Sequence, residues 1–431
     1  MWARVAEDAV APATQRWQWR QVGAQRYGAG FATGSCVLLV ISLWWALVQL
    51  DHASGWPGLR WALPPGVAHA VVMVFGFLPL FIAGFAITAV PRWLQAAPPS
   101  VGPLVPALVL QGLGWALWIA GAHAATAVAT AGLLCAAGGL GAVAWWLARL
   151  LLAGPSRERL HATLIAFALG AGVAALLATG VLVRSGRWGL VLALAHASLW
   201  GVVAVVFVTA AHRLLPHLEG GNATAVRLFG PHWMLWLLLV AALLQAAAPL
   251  LQAAGLDGPL WRASRDQVGL LAGCCVLRAC VAWPHLRPLR TRLVRALHLG
   301  VCWLGAALLA GALLDAASAA LPIARLSLAS SHAVAIGALT TLLVAMVTRV
   351  VCSHSGRAAT LDRLTWSMVL LLQCVALLRI AASVGGRWSG TLLLLAATGW
   401  AVALGGWSLR LLSWLGLPPA RLSPRPVPSL P

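Results

Sequence analysis

Long apolar runs, separated by short polar or Pro/Gly breaks, follow one another along almost the whole chain. A helix needs about 20 apolar residues to cross the roughly 30 Å of hydrocarbon in a bilayer. By this length criterion the sequence predicts about twelve spans, at 31–50, 68–90, 101–121, 124–152, 161–183, 189–211, 232–254, 267–284, 293–315, 328–352, 364–385 and 390–416. The pattern therefore predicts an all-α fold, a polytopic transmembrane helical bundle.

The residues outside the apolar runs predict two short flanking parts. Residues 1–30 are expected to form a cytoplasmic N-terminal segment. Residues 417–431 contain the stretch LSPRPVPSLP, a composition typical of a disordered, Pro-rich tail. Between them, 31–416 is expected to form a single transmembrane domain of about twelve helices.

The composition agrees with a lipid bilayer as the surrounding solvent. Hydrophobic residues make up 61% of the 431 residues and charged residues 9%, whereas a soluble domain carries about a quarter charged residues. The formal charge of +20 would indicate nucleic acid in a soluble protein. Here the arginines stand singly or in short groups between apolar runs, as expected for loops that fix topology and meet anionic lipid headgroups. We therefore predict a lipid bilayer, and no nucleic acid, as partner.

The placement of arginine predicts the orientation of the bundle. With the N-terminus in the cytoplasm, the cytoplasmic loops receive more than twice as many arginines as the outer loops. Positive loops tend to stay on the cytoplasmic side. The asymmetry and the even number of spans therefore place both the N- and the C-terminus in the cytoplasm.

Carboxylates are scarce and lie outside the centres of the predicted spans. The chain has nine Asp and Glu residues, and all of them fall at span ends, in loops or in the N-terminal segment. A proton-coupled antiporter usually needs a carboxylate within the membrane, so this class is disfavoured. Sites for hard cations such as magnesium or calcium are disfavoured for the same reason.

Histidine is the remaining candidate for chemistry at the membrane boundaries. His69 opens the second predicted span and His332 opens the tenth, both at the outer end. His298 opens the ninth span and His354 ends the tenth, both at the cytoplasmic end. Neutral imidazole is a good ligand for heme iron, copper and zinc. The plain alternative is an interfacial histidine with a satisfied hydrogen bond.

The spacing of these residues limits how they combine. His332 and His354 are 22 residues apart, or roughly 33 Å along a straight helix, so they cannot share one metal ion or one porphyrin. Their partners must come from other helices. His298 and Cys302 are four residues apart and lie on one helical face. That pair suits soft copper, or else Cys302 serves only as packing.

Four stretches of the chain carry recognisable motifs. AHAVVMVFGFLPLFIAGFAITAVPRWL at 68–94 is similar to WHAHEMLFGF…AGFLLTAVPNW, and HRLLPHL at 212–218 to GGRVIPFF. ALHLGVCWLG at 296–305 is similar to LHLGYAWLP, and SHAVAIGALTTLLVAMVTRVVCSHSGR at 331–357 to HALTVGAIGTMTLAVMTRVSLGHTGR. Through these motifs the chain resembles the NnrS family, heme- and copper-containing proteins of the bacterial inner membrane that are tied to the nitric oxide response.

The chain departs from the family motifs at two places. At 68–72 it reads AHAVV where the family has WHAHE, so one histidine and the acidic residue are lost. The family's FRPFF is represented only by YGAGF at 27–31. We therefore expect the outer site near His69 to be weakened or to lack a ligand.

The resemblance implies two cofactors, heme and copper, and a set of residues to hold them. The implied metal ligands are His69, His298, His332 and His354. The implied partners of a heme propionate or a bound anion are Arg213, Arg349 and Arg357. On this hypothesis the protein is a multi-pass inner-membrane protein that meets nitric oxide or its metal complexes, and a respiratory complex, during nitrosative stress. Whether it is an enzyme stays open, and no catalytic residue follows.

Two other functions agree with the same sequence. Twelve spans interrupted by glycine are typical of many carriers, so the chain is alternatively a transporter of a small, anionic solute along a path of arginines and histidines. It is also consistent with a non-catalytic accessory subunit of a respiratory complex.

Overall fold

The computed structural model describes residues 17–97, 100–218, 230–286, 289–318, 326–355, 357 and 360–417. These residues form helices and contain no strands. Twelve of the helices are long and apolar enough to span a membrane: α1 (Gly28–Ser54), α2 (Pro65–Trp93), α3 (Gly102–Ala124), α4 (Thr126–Ala153), α5 (Leu160–Arg184), α6 (Trp188–Pro216), α7 (His232–Ala253), α8 (Pro259–Trp283), α9 (Arg292–Leu314), α10 (Leu328–His354), α11 (Arg363–Val384) and α12 (Ser389–Leu415). The predicted helical transmembrane bundle is confirmed.

Each predicted span corresponds to one of these helices, several of which extend beyond their apolar runs, and α8 starts furthest before its run. α8 begins at Pro259, whereas the apolar run starts at 267. Its additional turns carry Arg265 and Asp266, whose side chains form an ion pair at 2.7 Å. The helix therefore extends past the apolar segment, and the two charges compensate each other there. Residues 1–16 and 418–431, most of the predicted flanking parts, lie outside the described residues.

Three helices are much more enclosed than the others. In α2, α6 and α10, 83%, 72% and 78% of the most apolar 18-residue stretch is buried inside the protein. No other spanning helix in the described residues exceeds 56%. These helices form the centre of the bundle. Polar side chains that they carry therefore face protein, since lipid contacts mainly the remaining helices. We call the end of the bundle that holds His69 and His332 the outer end, after the predicted orientation, and the opposite one the cytoplasmic end.

The regular α-helical pattern is interrupted within four of the spanning helices. π-Helical turns occur at Leu199–Ala204 in α6, at Ala333–Thr340 in α10 and at Ala401–Gly405 in α12. In addition, α2 is divided into the segments Pro65–Phe75 and Leu78–Trp93. π-Helical turns occur frequently at functional sites, because they re-aim side chains at a cost in helix regularity. The interrupted helices are therefore candidates to line a functional site.

Glycines allow α3 and α4 to pack at very short distance. A Cβ atom built on Gly132 would lie 2.5 Å from the carbonyl oxygen of Gly114, and one on Gly121 would lie 2.1 Å from the backbone nitrogen of Ala129. No side chain fits such contacts. Small residues at helix interfaces let backbones approach closely in membranes, where packing drives association.

Two glutamines in the spanning helices, the half-buried Gln373 and the buried Gln111, should respond to substitution with opposite signs. Gln373 on α11 accepts a hydrogen bond from Trp303 Nε1 at 2.6 Å and donates one to Thr341 Oγ1 at 3.1 Å, linking three helices. Gln111 on α3 is fully buried, and both its amide atoms lack a partner in the described residues. We expect Gln373→Met to lower the free energy of unfolding by about 1 kcal/mol and Gln111→Met to raise it by a similar amount. Thermal unfolding in detergent measures both, and equal signs would contradict the expectation.

Candidate metal centre at the outer end

A cavity of about 510 Å³ lies among α1, α2, α6, α10, α11 and α12 at the outer end. All the interrupted helices contribute to its wall, through residues such as Phe77, Leu199, Ala335 and Trp400. Its volume falls within the range of about 300–1,000 Å³ that is typical of ligand sites. Most of the lining is apolar. The described polar lining residues are Gln49, His52, His69, His196, Ser331, His332, Thr340 and Arg379.

The imidazole of His332 is fixed in a way that suits a metal ligand. It lies at the turn of α10 that directly precedes the π-helical segment, and its Nδ1 is 2.6 Å from the carbonyl oxygen of Leu328. A carbonyl oxygen only accepts, so Nδ1 carries the proton and Nε2 of the neutral ring keeps its lone pair. Metal-binding histidines usually have one nitrogen engaged in this manner.

His69 reaches the same cavity from α2, and its buried Nδ1 has no hydrogen-bond partner in the described part of the chain. Its ring stacks on Trp45, with the centroids 3.7 Å apart and the planes at 20°. His123, at the same end, is different: its Nε2 accepts from Trp44 at 2.9 Å and its Nδ1 donates to the Arg60 carbonyl oxygen at 2.8 Å. His123 is thus a structural histidine, whereas His69 retains unused ligand capacity.

Two further polar residues of the cavity were missed in the sequence. Arg379 on α11 lines it and donates a hydrogen bond to Ser383 at 3.0 Å. His196 lines it from α6. Each stands alone in an apolar run, ALLRIAA and LALAHAS, and an ionisable residue within a membrane helix is a candidate for function. The sequence therefore offered a signal for both residues.

His298 lies in a second cluster, towards the cytoplasmic end. Ligand atoms of Cys280, His298 and Cys302 all lie within 4.8 Å of one another. Cys280 is contributed by α8 and the other two residues by α9. The helical spacing of His298 and Cys302 predicted that these two share a face. The third member, Cys280, was not predicted as a ligand.

His354 lies at the cytoplasmic end, far along α10 from His332. Its exposed ring donates through Nδ1 to the Val350 carbonyl oxygen at 2.9 Å and meets the edge of Tyr27 at 5.3 Å. Together with Arg26 and Arg92 it lines a separate cavity of about 420 Å³. Burial raises the pKa of Tyr27 to about 12, so this phenol stays neutral. The surroundings of His354 are basic and open.

Arg213 lies at the cytoplasmic end and forms an ion pair with Glu158, which precedes α5. The guanidinium carbon of Arg213 also lies 5.7 Å from the centroid of the Trp93 ring. The hydrogen bond from Arg213 holds the pKa of the Glu158 carboxyl below its ordinary value. The charge of Arg213 is therefore engaged in joining α6 to the loop between α4 and α5.

Arg357 and Arg349 also lie outside the outer cavity. Arg357 donates to Ser355 Oγ at 3.0 Å and stands over the ring of Trp414 at 5.6 Å. Arg349 is half-buried near the end of α10. None of these arginines is among the described residues that line the cavity of His69 and His332. Their roles toward a propionate or an anion stay predictions.

Of the residues predicted from sequence, the structure brings His69 and His332 together in one cavity and places His298 and His354 elsewhere. A search among curated proteins finds no match. The family model described as NnrS protein matches residues 29–418, nearly the whole chain. The match covers all twelve spanning helices, as the motif resemblance led us to expect. The chain therefore belongs to the NnrS family.

Proposed function

We propose that the protein binds one heme in the outer cavity, with His69 and His332 as the iron ligands, and that it serves in the response to nitric oxide. One observation carries the proposal: imidazoles from α2 and α10 line the same cavity, although His69 and His332 are 263 positions apart in the sequence. Heme sites in helical bundles draw their ligands from facing helices in this way.

The residues of the cavity fit a porphyrin. Trp45, Phe77 and Trp400 provide large flat apolar surfaces, and these suit a planar macrocycle better than a small hydrophilic solute. The unpartnered Nδ1 of His69 is a buried polar atom whose desolvation costs about 1–3 kcal/mol unless a ligand or a bonded neighbour compensates it. No carboxylate is among the described lining residues, which disfavours hard cations at this site. When bound, heme would supply an iron centre that carries one electron.

Each lining group has a defined task in this arrangement. The Leu328 carbonyl holds the His332 ring in the tautomer that leaves Nε2 free. Trp45 fixes the plane of His69 by stacking. Arg379 offers a cation to a propionate, and its own bond to Ser383 orients the guanidinium. The surrounding wall is mostly apolar.

The role in nitric oxide response is supported by family membership and by the motif resemblance, with the bacterial inner membrane as the expected location. An inner-membrane protein with an apolar cavity is well placed to meet nitric oxide, a neutral gas. Copper, nitric oxide–metal complexes and a respiratory complex are further partners on this proposal.

A strain lacking the protein should grow more slowly under a nitric oxide donor. Wild type should restore growth, whereas His332→Ala should not.

The spectroscopic test uses the protein purified in detergent from heme-replete cells. The proposal predicts a Soret band and about one heme per chain, the stoichiometry of a single two-histidine site. A featureless spectrum together with the absence of iron and copper by mass spectrometry would overturn it. Anion uptake into proteoliposomes that vanishes in Arg349→Ala would favour the transporter instead.

Arg379→Gln should weaken heme binding without abolishing it. Replacing the guanidinium by a neutral amide removes a charge-assisted bond to a propionate worth about 1.5–3 kcal/mol, or about 10–100-fold in affinity. Heme transfer to excess apomyoglobin measures the loss as a faster rate. The matched control is Arg387→Gln, an arginine at the same end that stands over Trp388. Equal transfer rates in both variants would remove Arg379 from the site.

A further inference from the structure

The cluster of Cys280, His298 and Cys302 has the make-up of a metal site separate from the outer cavity. Cys280 lies near the end of α8, and His298 and Cys302 lie one turn apart near the start of α9. The two helices pack as a hairpin, which brings all three ligand atoms within 4.8 Å of one another. Cys280 is only 3% exposed. The three donors are therefore convergent and largely shielded from solvent.

The hydrogen bond between His298 and the backbone determines which of its two nitrogens is available as a metal ligand. Its Nε2 is 2.9 Å from the carbonyl oxygen of Cys280, so Nε2 must donate. In the neutral ring Nδ1 then keeps its lone pair. Cys302 Sγ lies 3.6 Å from Nδ1 and 3.8 Å from Nε2, so the backbone hydrogen bond decides which nitrogen is available to a metal. A backbone carbonyl that fixes the distal nitrogen is the usual support of a metal-binding histidine. Packing of two cysteines as small hydrophobes would not require this orientation.

The donor set indicates the kind of ion. Two thiolates and one imidazole are soft ligands, which select Cu(I), zinc and iron–sulfur clusters. Structural zinc takes four ligands and iron–sulfur clusters usually take four cysteines, whereas the described residues of this cluster offer three donors. Three soft donors match a three-coordinate Cu(I) ion. Trp283 places its ring edge 5.5 Å from the His298 ring and covers one side.

We propose that Cys280, His298 and Cys302 bind one Cu(I) ion. Binding releases the two thiol protons to water, and the ion enters and stays as Cu(I), so no electron is exchanged. One of the three ligands, Cys302, is absent from the family motif LHLGYAWLP, which has alanine at its place. The predicted orientation puts the site near the cytoplasm, where thiols are kept reduced. The inference does not rest on the heme proposal.

The test is a competitive titration of the full-length protein in detergent, under reducing and oxygen-free conditions. Cu(I) is added in the presence of the colorimetric chelator bathocuproine disulfonate. We expect one Cu(I) per chain in wild type, with sulfur neighbours in its X-ray absorption spectrum. Cys280→Ser and Cys302→Ala should each weaken binding by more than about 100-fold, since loss of a ligand exceeds the 10–100-fold effect of an outer partner. Cys302→Ala restores the family residue, so its folding should be unaffected.

Matched controls and the heme spectrum separate this inference from the heme proposal. Cys374→Ser on α11 and Cys274→Ser on α8 change exposed cysteines and should leave Cu(I) binding at the wild-type level. The Soret band should be the same in all four variants. Unchanged Cu(I) affinity in the double variant Cys280→Ser/Cys302→Ala would overturn the inference, as would a wild type that yields all its Cu(I) to the chelator.

Discussion

His332→Ala is expected to remove heme from the purified protein. The substitution deletes the imidazole that the Leu328 carbonyl holds in the metal-binding tautomer, and the methyl group that replaces it offers no donor to iron. Loss of a ligand bond worth more than about 3 kcal/mol lowers affinity more than about 100-fold. The heme-to-protein ratio, measured as the pyridine hemochrome, should fall from about one to below about one tenth.

His354→Ala is the matched control, because it removes an imidazole from the other end of the same helix. That ring is exposed at the cytoplasmic end, and the described lining of the outer cavity does not include it. It should keep the wild-type heme ratio, as should His298→Ala. His332→Gly supplied with free imidazole should regain the Soret band if the fold is intact. A full heme complement in His332→Ala would contradict the assignment of this ligand.

Gly139→Leu is expected to prevent stable folding. A Cβ atom at Gly139 would lie 2.3 Å from the carbonyl oxygen of Ala107 and 2.8 Å from the Cβ atom of Gln111, so α3 and α4 would have to separate. Overpacking of this kind costs about 1–3 kcal/mol for each badly placed group, and a whole isobutyl side chain adds more. The yield of monodisperse protein in detergent and its unfolding temperature should both fall sharply.

The neighbouring residue supplies the control. Gly138 is exposed, and the nearest atom to a Cβ built there is Leu110 Cδ2 at 3.8 Å. Gly138→Leu adds the same side chain to the same helix but directs it towards lipid, where an apolar group is favourable. Its yield should equal that of wild type, and its unfolding temperature should be equal or higher. Equal loss in both variants would show that helix packing at Gly139 is not the cause.

The number and limits of the helices could be predicted from sequence because run length is set by the thickness of the bilayer. The exceptions have physical reasons. α8 begins at Pro259 because the Arg265–Asp266 pair lets the helix continue beyond the apolar run. The π-helical turns, such as Ala333–Thr340, leave the apolar pattern unchanged. A change of hydrogen-bond register depends on what packs around the helix, and run length carries no such information.

The sequence predicts at which end of the bundle the candidate site residues lie, but not which side of each helix faces the interior. Counting spans puts His69 and His332 at the same end, and the structure confirms that they line one cavity. The same count cannot tell which side of a helix faces inwards, so it does not assign Arg379 to the cavity. Cys280 was missed for a related reason. It belongs to a different helix from His298, 18 residues away in sequence, and only the packing of α8 on α9 brings the two together.

Iron located by anomalous X-ray scattering in crystals of the heme-loaded protein tests the central claim most directly. An anomalous peak at the iron edge should lie in the outer cavity, between the rings of His69 and His332 and within bonding distance of His332 Nε2. A peak beside His354 or within the cluster of Cys280, His298 and Cys302, with none in the outer cavity, would contradict it.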